Sequence, residues 1–443
     1  MRDAILFLIV FGSIPFIFKR PAFGIMMFCW ISLMNPHRLC YGAAYDFPFA
    51  ALICCVIFAS LITNRGKRDI PMTPAIVMLL VFCLWMNVTT LFAQDSVRAW
   101  VEWNRVMKTM FMIMLGIAVL RSASDIKLMA WVVGLSLGFW GLKGGIFTIK
   151  SGGTSHVFGP DNSYIGDNNA LALALITALP IIWYLRTQTR SRWIMIGMSV
   201  LAGLTLVSSA GSYSRGALLA GGVMLGFLWL KSRTKIRTGI ALALLVPLIY
   251  TLMPAEWSGR MNTIDNYQED ESALGRINAW GFAFNVAKSN VFGGGFDTFT
   301  HAMFARYAPN PLDHHAAHSI YFQVLGEHGF IGLILFLLFF FLSWRIGSRV
   351  IRKCGERPEL KWARELAAMS QVSLIGYLVG GAFLTLAYYD LPYYVVSLLV
   401  VLERYVSQPG LEAVLAAEAA AQAAAADQKA RKRHGTRLTG ASR

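Results

Sequence analysis

The run His318-Ser319-Ile320-Tyr321-Phe322-Gln323-Val324-Leu325-Gly326-Glu327-His328-Gly329 sets an imidazole where a polar segment meets a long apolar one. Histidine is the side chain whose ordinary pKa lies nearest neutrality, so His318 at a membrane edge suits general-base work. Eleven residues of helix make three turns plus about 20°, so an unbroken helix would place His318 and Gly329 on one face. Gly326, Gly329 and Gly332 would then let a second helix come close. The competing reading is an interfacial histidine that only caps or hydrogen-bonds.

A second signal is Ser212-Tyr213-Ser214-Arg215-Gly216-Ala217-Leu218-Leu219. Arg215 sits at a helix end in a very short loop, with Leu219 one turn further on the same face. A guanidinium fork takes two phosphate oxygens at once, which makes Arg215 a phosphate-binding candidate. The alternative is an arginine snorkelling to the interface. A third signal is Ser272-Ala273-Leu274-Gly275-Arg276-Ile277-Asn278-Ala279-Trp280. Ser272 could cap a short helix, Arg276 could meet phosphate, and Trp280 could stack on a sugar or sit at the membrane surface. Arg105, Lys143 and Lys150 are further bases that could contact substrate.

Metal chemistry is weakly supported. Asp161 and Asp167 are two isolated carboxylates, and the triplet His314, His315, His318 lacks a second ligand set at helical spacing. No metal or cofactor is expected. Phe292-Gly293-Gly294-Gly295-Phe296 reads as a tight turn. The tyrosines of Ala387-Tyr388-Tyr389-Asp390-Leu391-Pro392-Tyr393-Tyr394 read as an interfacial aromatic belt.

These residues need a scaffold, and the composition says which kind. The chain has 443 residues, of which 56% are apolar and only 14% charged. A soluble domain has about 25% charged residues, so a cytosolic enzyme is excluded, as are a disordered chain and a disulfide scaffold. An all-α, polytopic membrane protein remains. The net charge of +16 would fit a nucleic-acid binder, but its distribution argues against one. Of 40 Lys and Arg, 23 fall in five stretches: 65–68, 186–192, 231–237, 345–364 and 429–443. The first four lie between apolar runs and the fifth is the C-terminal tail, the positive-inside pattern of cytoplasmic segments facing membrane lipids. The six cysteines show no disulfide framework or zinc spacing.

A membrane helix needs about 20 apolar residues. Spans are expected over 47–63, 73–92, 103–120, 128–149, 169–185, 193–209, 216–230, 238–253, 319–344, 367–388 and 391–406. The first 36 residues hold either two tilted helices or one broken pass, giving 12 or 13 transmembrane helices. With the basic loops inside, the longest outer loop is 254–317, with four basic and seven acidic residues. The chain therefore divides into N-terminal transmembrane helices (1–253), one large periplasmic loop (254–317), C-terminal transmembrane helices (318–406) and an Ala-rich cytoplasmic helix with a basic tail (407–443). It contains no P-loop and no dinucleotide fingerprint, so a nucleotide sugar is not the expected direct substrate.

With these residues in view, the chain resembles the O-antigen ligase family. The resemblance rests on His318 with Gly329 eleven residues on, on Arg215 with Leu219, and on the single large loop before the histidine helix. Met34-Asn35-Pro36-His37-Arg38 also looks like a branch of putative O-glycosylation ligases. The motifs lie between about residues 208 and 335. The resemblance implies a GT-C-like, metal-independent, inverting glycosyltransferase of the bacterial inner membrane, with its active site on the periplasmic face. Its donor would be an undecaprenyl-pyrophosphate-linked glycan and its acceptor the lipid A-core of lipopolysaccharide. Arg215 would contact the pyrophosphate and His318 would activate the acceptor hydroxyl; Arg276 extends the phosphate site on the loop's own chemistry. O-antigen polymerases and protein O-glycosylation ligases share the donor chemistry. A transporter of a lipid-linked or anionic substrate is the alternative of another class.

Overall fold

The computed structural model describes residues 1–64, 66, 68–231, 235–236, 239–240, 243–244 and 271–417. Most of the expected span 238–253, the start of the long loop (254–270) and the tail beyond 417 lie outside the described residues. All regular elements among the described residues are helical. They are α1 (Arg2–Lys19), α2 (Pro21–Met34), α3 (Phe49–Thr63), α4 (Pro74–Leu91), α5 (Ser96–Val119), α6 (Ala123–Lys150), α7 (Asn168–Gln188), α8 (Arg192–Ala210), α9 (Arg215–Lys231), α10 (Glu271–Ser289), α11 (His301–Tyr307), α12 (Ile320–Cys354), α13 (Lys361–Gly381) and α14 (Asp390–Val406), with two short 3-10 turns between them. Helices α4, α6, α7, α8 and α12 are long and apolar enough to cross a membrane, and α2, α3 and α9 are shorter apolar helices. The chain is a multi-pass membrane protein.

The N-terminal ambiguity resolves into two helices. Arg20 is extended (φ −147°, ψ 96°), and Pro21 opens α2, where its missing N–H costs nothing. The Asp3 carboxylate accepts the amides of Gly42 and Ala44, each at 3.1 Å, so the start of α1 lies beside the chain leaving α2 and the pair runs antiparallel.

The centre of the bundle is α7 and α14. Every residue of α14 except Arg404 is buried. One end gathers the basic segments and pairs them with carboxylates: Arg20 with Asp125, Arg121 with Asp69, and Arg349 with Glu403 through two contacts of 2.5 and 3.1 Å. The other end carries the start of α7, the α8–α9 turn, α10, α11 and the loop 382–389.

Two expectations about the C-terminal half change. Helix α12 begins at Ile320, and His318 precedes it with a left-handed backbone (φ 42°). Gly329 is also not helical (φ 67°, ψ −172°), so it marks a break in α12. His318 and Gly329 therefore do not share a helical face. A break orphans the carbonyls around it, and these need donors. The Phe292–Phe296 turn supplies two: Gly294 N–H donates to Gly326 O (2.8 Å) and Gly295 N–H to Glu327 O (2.9 Å). The Trp85 indole N–H donates to His328 O (2.8 Å). A Cβ on Gly293 would stand 2.6 Å from Glu327 O, so the turn needs glycine there to reach the broken helix. The second change is that α13 stops at Gly381, leaving 382–389 as a loop. Tyr388, Tyr389, Tyr393 and Tyr394 are buried rather than displayed in a belt. Two of their hydroxyls make buried contacts instead: Tyr388 donates to Glu327 Oε2 (2.5 Å) and Tyr393 to Ala387 O (2.8 Å).

Candidate active site

Helix α10 organises the segment that leads to His318. Asn278 on α10 donates to Asn310 O (2.9 Å) and Asp313 O (2.7 Å) and accepts the Asn310 amide (2.8 Å). One side chain thus satisfies three backbone groups of a segment with no ladder of its own. Two residues on, the Trp280 indole N–H donates to Ala317 O (2.9 Å), and its ring stacks on Phe322 at 4.9 Å with an interplanar angle of 8°. The His318 amide donates to the Thr385 hydroxyl (2.8 Å). The Ala317–His318 peptide group is therefore held at both ends, which sustains the left-handed backbone at His318.

Loop 382–389 is anchored in turn by the first half of α12. Gln323 Oε1 accepts the Ala387 amide (3.0 Å), and the buried Glu327 carboxylate accepts the Tyr388 hydroxyl and the Asp297 amide (3.2 Å). The path runs from a buried carboxylate, through a loop, to the backbone of His318.

Arg276 is half-buried on α10. A Cβ on the preceding residue, Gly275, would overlap the His315 ring, so glycine lets that ring lie against α10. His315 Nε2 is 2.7 Å from Asp313 Oδ1. The His318 pKa lies below the ordinary imidazole value, first because of burial and then because of the nearby charge of Arg276; His315 adds to the lowering and Asp167 opposes it. The cause is desolvation of the cation plus repulsion by a fixed positive charge. A neutral imidazole is the form that can accept a proton.

Arg215 begins α9 at the same end. A Cβ on Gly216 would stand 3.0 Å from Phe383 Cβ, so α9 starts against the loop whose Thr385 holds His318. The preceding turn is tied to α7: the Asn168 side chain donates to Ser212 O (2.6 Å), and Asp167 caps α7 by accepting the amides of Asn169 and Ala170. His318, Arg276, Arg215 and Asp167 thus come from four elements that meet at one end of the bundle.

The other expected substrate residues have surroundings of their own. Lys143 is exposed on α6 over the Trp140 ring (4.7 Å), and Lys150 is exposed at the end of α6. Arg105 lies on α5 over the Tyr164 ring (3.5 Å) and 3.8 Å from Glu102. Trp280 is engaged by the protein itself, through Ala317 and Phe322. The His314 ring lies tilted against that of His301 (4.0 Å between centroids), and its Nε2 lies 2.9 Å from Phe299 O. Among the described residues, no three His, Cys, Asp or Glu side chains form a group able to hold a metal ion.

Residues 200–337 match the model of the family described as O-antigen ligase. That stretch runs from α8 into α12 and contains Arg215, Arg276, His318 and Gly329. This part of the chain is similar to the O-antigen ligase family. Residues 1–190 match a family of unknown function (DUF5935), so the O-antigen ligase region follows an N-terminal half whose role its own family does not state. No curated protein matches the chain. An O-antigen ligase-type transferase activity follows in general terms from the family.

Sequence reasoning missed Thr385, which nothing in its neighbourhood distinguishes. It passed over Glu327 although an ionisable group in an apolar run is a signal in itself. Asp167 was weighed as a metal ligand, whereas it faces the imidazole electrostatically and caps a helix.

Proposed function

We propose that this protein is an inverting, GT-C-like glycosyltransferase with 12 or 13 transmembrane helices. It moves a glycan from undecaprenyl pyrophosphate to a lipid A-core acceptor on the periplasmic face of the inner membrane. The observation that carries the reading is the grip on the Ala317–His318 peptide beside Arg276, inside a stretch of O-antigen ligase sequence.

The chemistry follows from the residues. Neutral His318 accepts the proton of an acceptor hydroxyl as its oxygen bonds to the anomeric carbon of the donor sugar. The bond from that carbon to the phosphate oxygen breaks, and the electron pair leaves with the pyrophosphate. Arg215 and Arg276 meet the charge that develops there, in a site where water screens it poorly. Attack opposite the leaving group inverts the anomeric centre. The energy comes from the glycosyl-phosphate bond itself, which agrees with a chain lacking a nucleotide-binding motif.

The test is reconstitution with a defined lipid-pyrophosphate-linked glycan and a choice of acceptors. The expected product is glycan on lipid A-core. Glycan joined only to a second donor chain would identify a polymerase, and glycan on a protein hydroxyl an O-glycosylation ligase. Movement of the donor across vesicles with no new glycosidic bond would refute the transferase.

A further inference from the structure

A groove of 640 Å³ opens between α2, α3 and α5, lined mostly by the part of the chain whose family has no stated role and closed at one end by Tyr389 and Asp390. Its walls are apolar for most of their length, with Phe28 and Ile31 on α2, Ala51 and Phe58 on α3, and Phe111 on α5. The Phe58 and Phe111 rings stack at 5.6 Å, and Cys54 Sγ lies 3.5 Å from Met112 Sδ, so α3 and α5 touch across it at those points.

The other end is polar in a particular way. Arg105 and Lys108, one turn apart on α5, both line it. Lys108 is exposed and has no carboxylate partner among the described residues. Arg105 has Glu102 at 3.8 Å, but Lys108 is a cation beside an apolar groove of a membrane protein, which is costly unless something anionic meets it. Facing them is Asp390, only 7% exposed. Thr109 hydrogen-bonds this carboxylate, yet its Oδ1 has no partner, and neither has the buried hydroxyl of its neighbour Tyr389, which lines the same groove. A buried carboxylate oxygen left without a donor has lost its water and gained no hydrogen bond in return, so a ligand supplying one is favoured.

We infer that this groove binds one membrane phospholipid with an ethanolamine head. Its phosphate sits between Arg105 and Lys108, its ammonium donates to Asp390, and an acyl chain lies along the apolar walls that α2, α3 and α5 present. Two cations beside one unsatisfied carboxylate complement a head with an anionic phosphate and a donor-bearing ammonium. Phosphatidylcholine has the same phosphate but no donor hydrogen on its nitrogen.

The experiment is native mass spectrometry of the full chain from mixed micelles containing phosphatidylethanolamine and phosphatidylcholine with matched chains. Wild type should retain the ethanolamine lipid about tenfold over the choline lipid, the ratio that one good polar contact supplies. Lys108→Met should weaken retention of both lipids alike, since both carry the phosphate. Asp390→Asn should abolish the preference while choline-lipid retention stays unchanged. Equal retention of the two lipids by wild type overturns the proposal. So does displacement of the ethanolamine lipid by a polyprenyl phosphate, which would give the groove to a donor chain. The wild-type comparison and exposed Lys108 do not depend on whether Asp390→Asn folds. The readout is bound mass, so it is independent of whether the protein transfers glycan.

Discussion

Trp280 and Thr385, 105 residues apart in sequence, hold opposite ends of a single peptide group, the one joining Ala317 to His318. A left-handed backbone at a non-glycine residue costs roughly 1–2 kcal/mol, so His318 keeps it only while both partners are present. Thr385→Val removes the acceptor and keeps the shape. It should lower kcat by about 10²-fold through misplacement of the imidazole, with little change in KM. Trp280→Phe removes the donor but keeps the stack on Phe322, and should act in the same direction. Steady-state transfer with a soluble acceptor analogue would check both; unchanged kcat in both variants would separate the grip from catalysis.

The pH profile offers a test with opposite signs. If neutral His318 is the base, transfer is present above its pKa and lost as pH falls through it. Because burial and Arg276 lower that pKa, the acid limb should lie below the ordinary imidazole value of about 6.5. Arg276→Gln removes a repelling charge and should move the limb to higher pH. Asp167→Asn removes an attracting charge and should move it lower. The measurement is kcat/KM against pH for the three proteins. Shifts in one common direction would refute the electrostatic assignment.

The break in α12 is open to mutation. Gly329 holds φ 67° and ψ −172°, a region that is essentially glycine's alone, and a Cβ there would overlap Val291 O. Gly329→Ala should destabilise the protein by at least about 1–3 kcal/mol. It should also loosen the Phe292–Phe296 turn, whose amides serve the orphaned carbonyls. Thermal unfolding in detergent would show a lowered midpoint. Gly222→Ala is the control, because nothing lies within 4 Å of its Cβ position.

That glycine also shows what the sequence could and could not reveal. Apolar runs of about 20 residues mark most helices, because a bilayer leaves the backbone few other options. His318 and Arg215 stand out because they fall on the expected outer side of the span pattern, where an ionisable group is not a topology signal. Gly329, by contrast, looks identical in sequence whether it allows helix contact or a break. What decides is the turn 292–296, which lies 33 residues upstream of Gly329 at its last residue and packs back onto α12. Loop 382–389 was hidden for a related reason. Its residues are apolar and aromatic like a membrane helix, and only their tertiary partners Gln323 and Glu327 show where the helix ends. Trp280 reads in sequence as a sugar-stacking or membrane-surface ring because its actual partner, the Ala317 carbonyl, carries no side-chain signal.

Arg215 and Arg276 make the last prediction. Each is expected to meet pyrophosphate oxygens as charge develops, so replacing either with Ala should cost about 10²–10³ in kcat. Replacement with Lys keeps the charge but loses the two-pronged geometry, so each Lys variant should fall between wild type and Ala. Two cations acting on one leaving group share the same charge, so the double Ala variant should lose less than the product of the single losses. Single-turnover transfer with preloaded donor isolates this from product release. A donor with a better leaving group than pyrophosphate should recover more activity in the Ala variants than in wild type, because it relies less on the arginines. Equal recovery in both would place the arginines in donor binding alone.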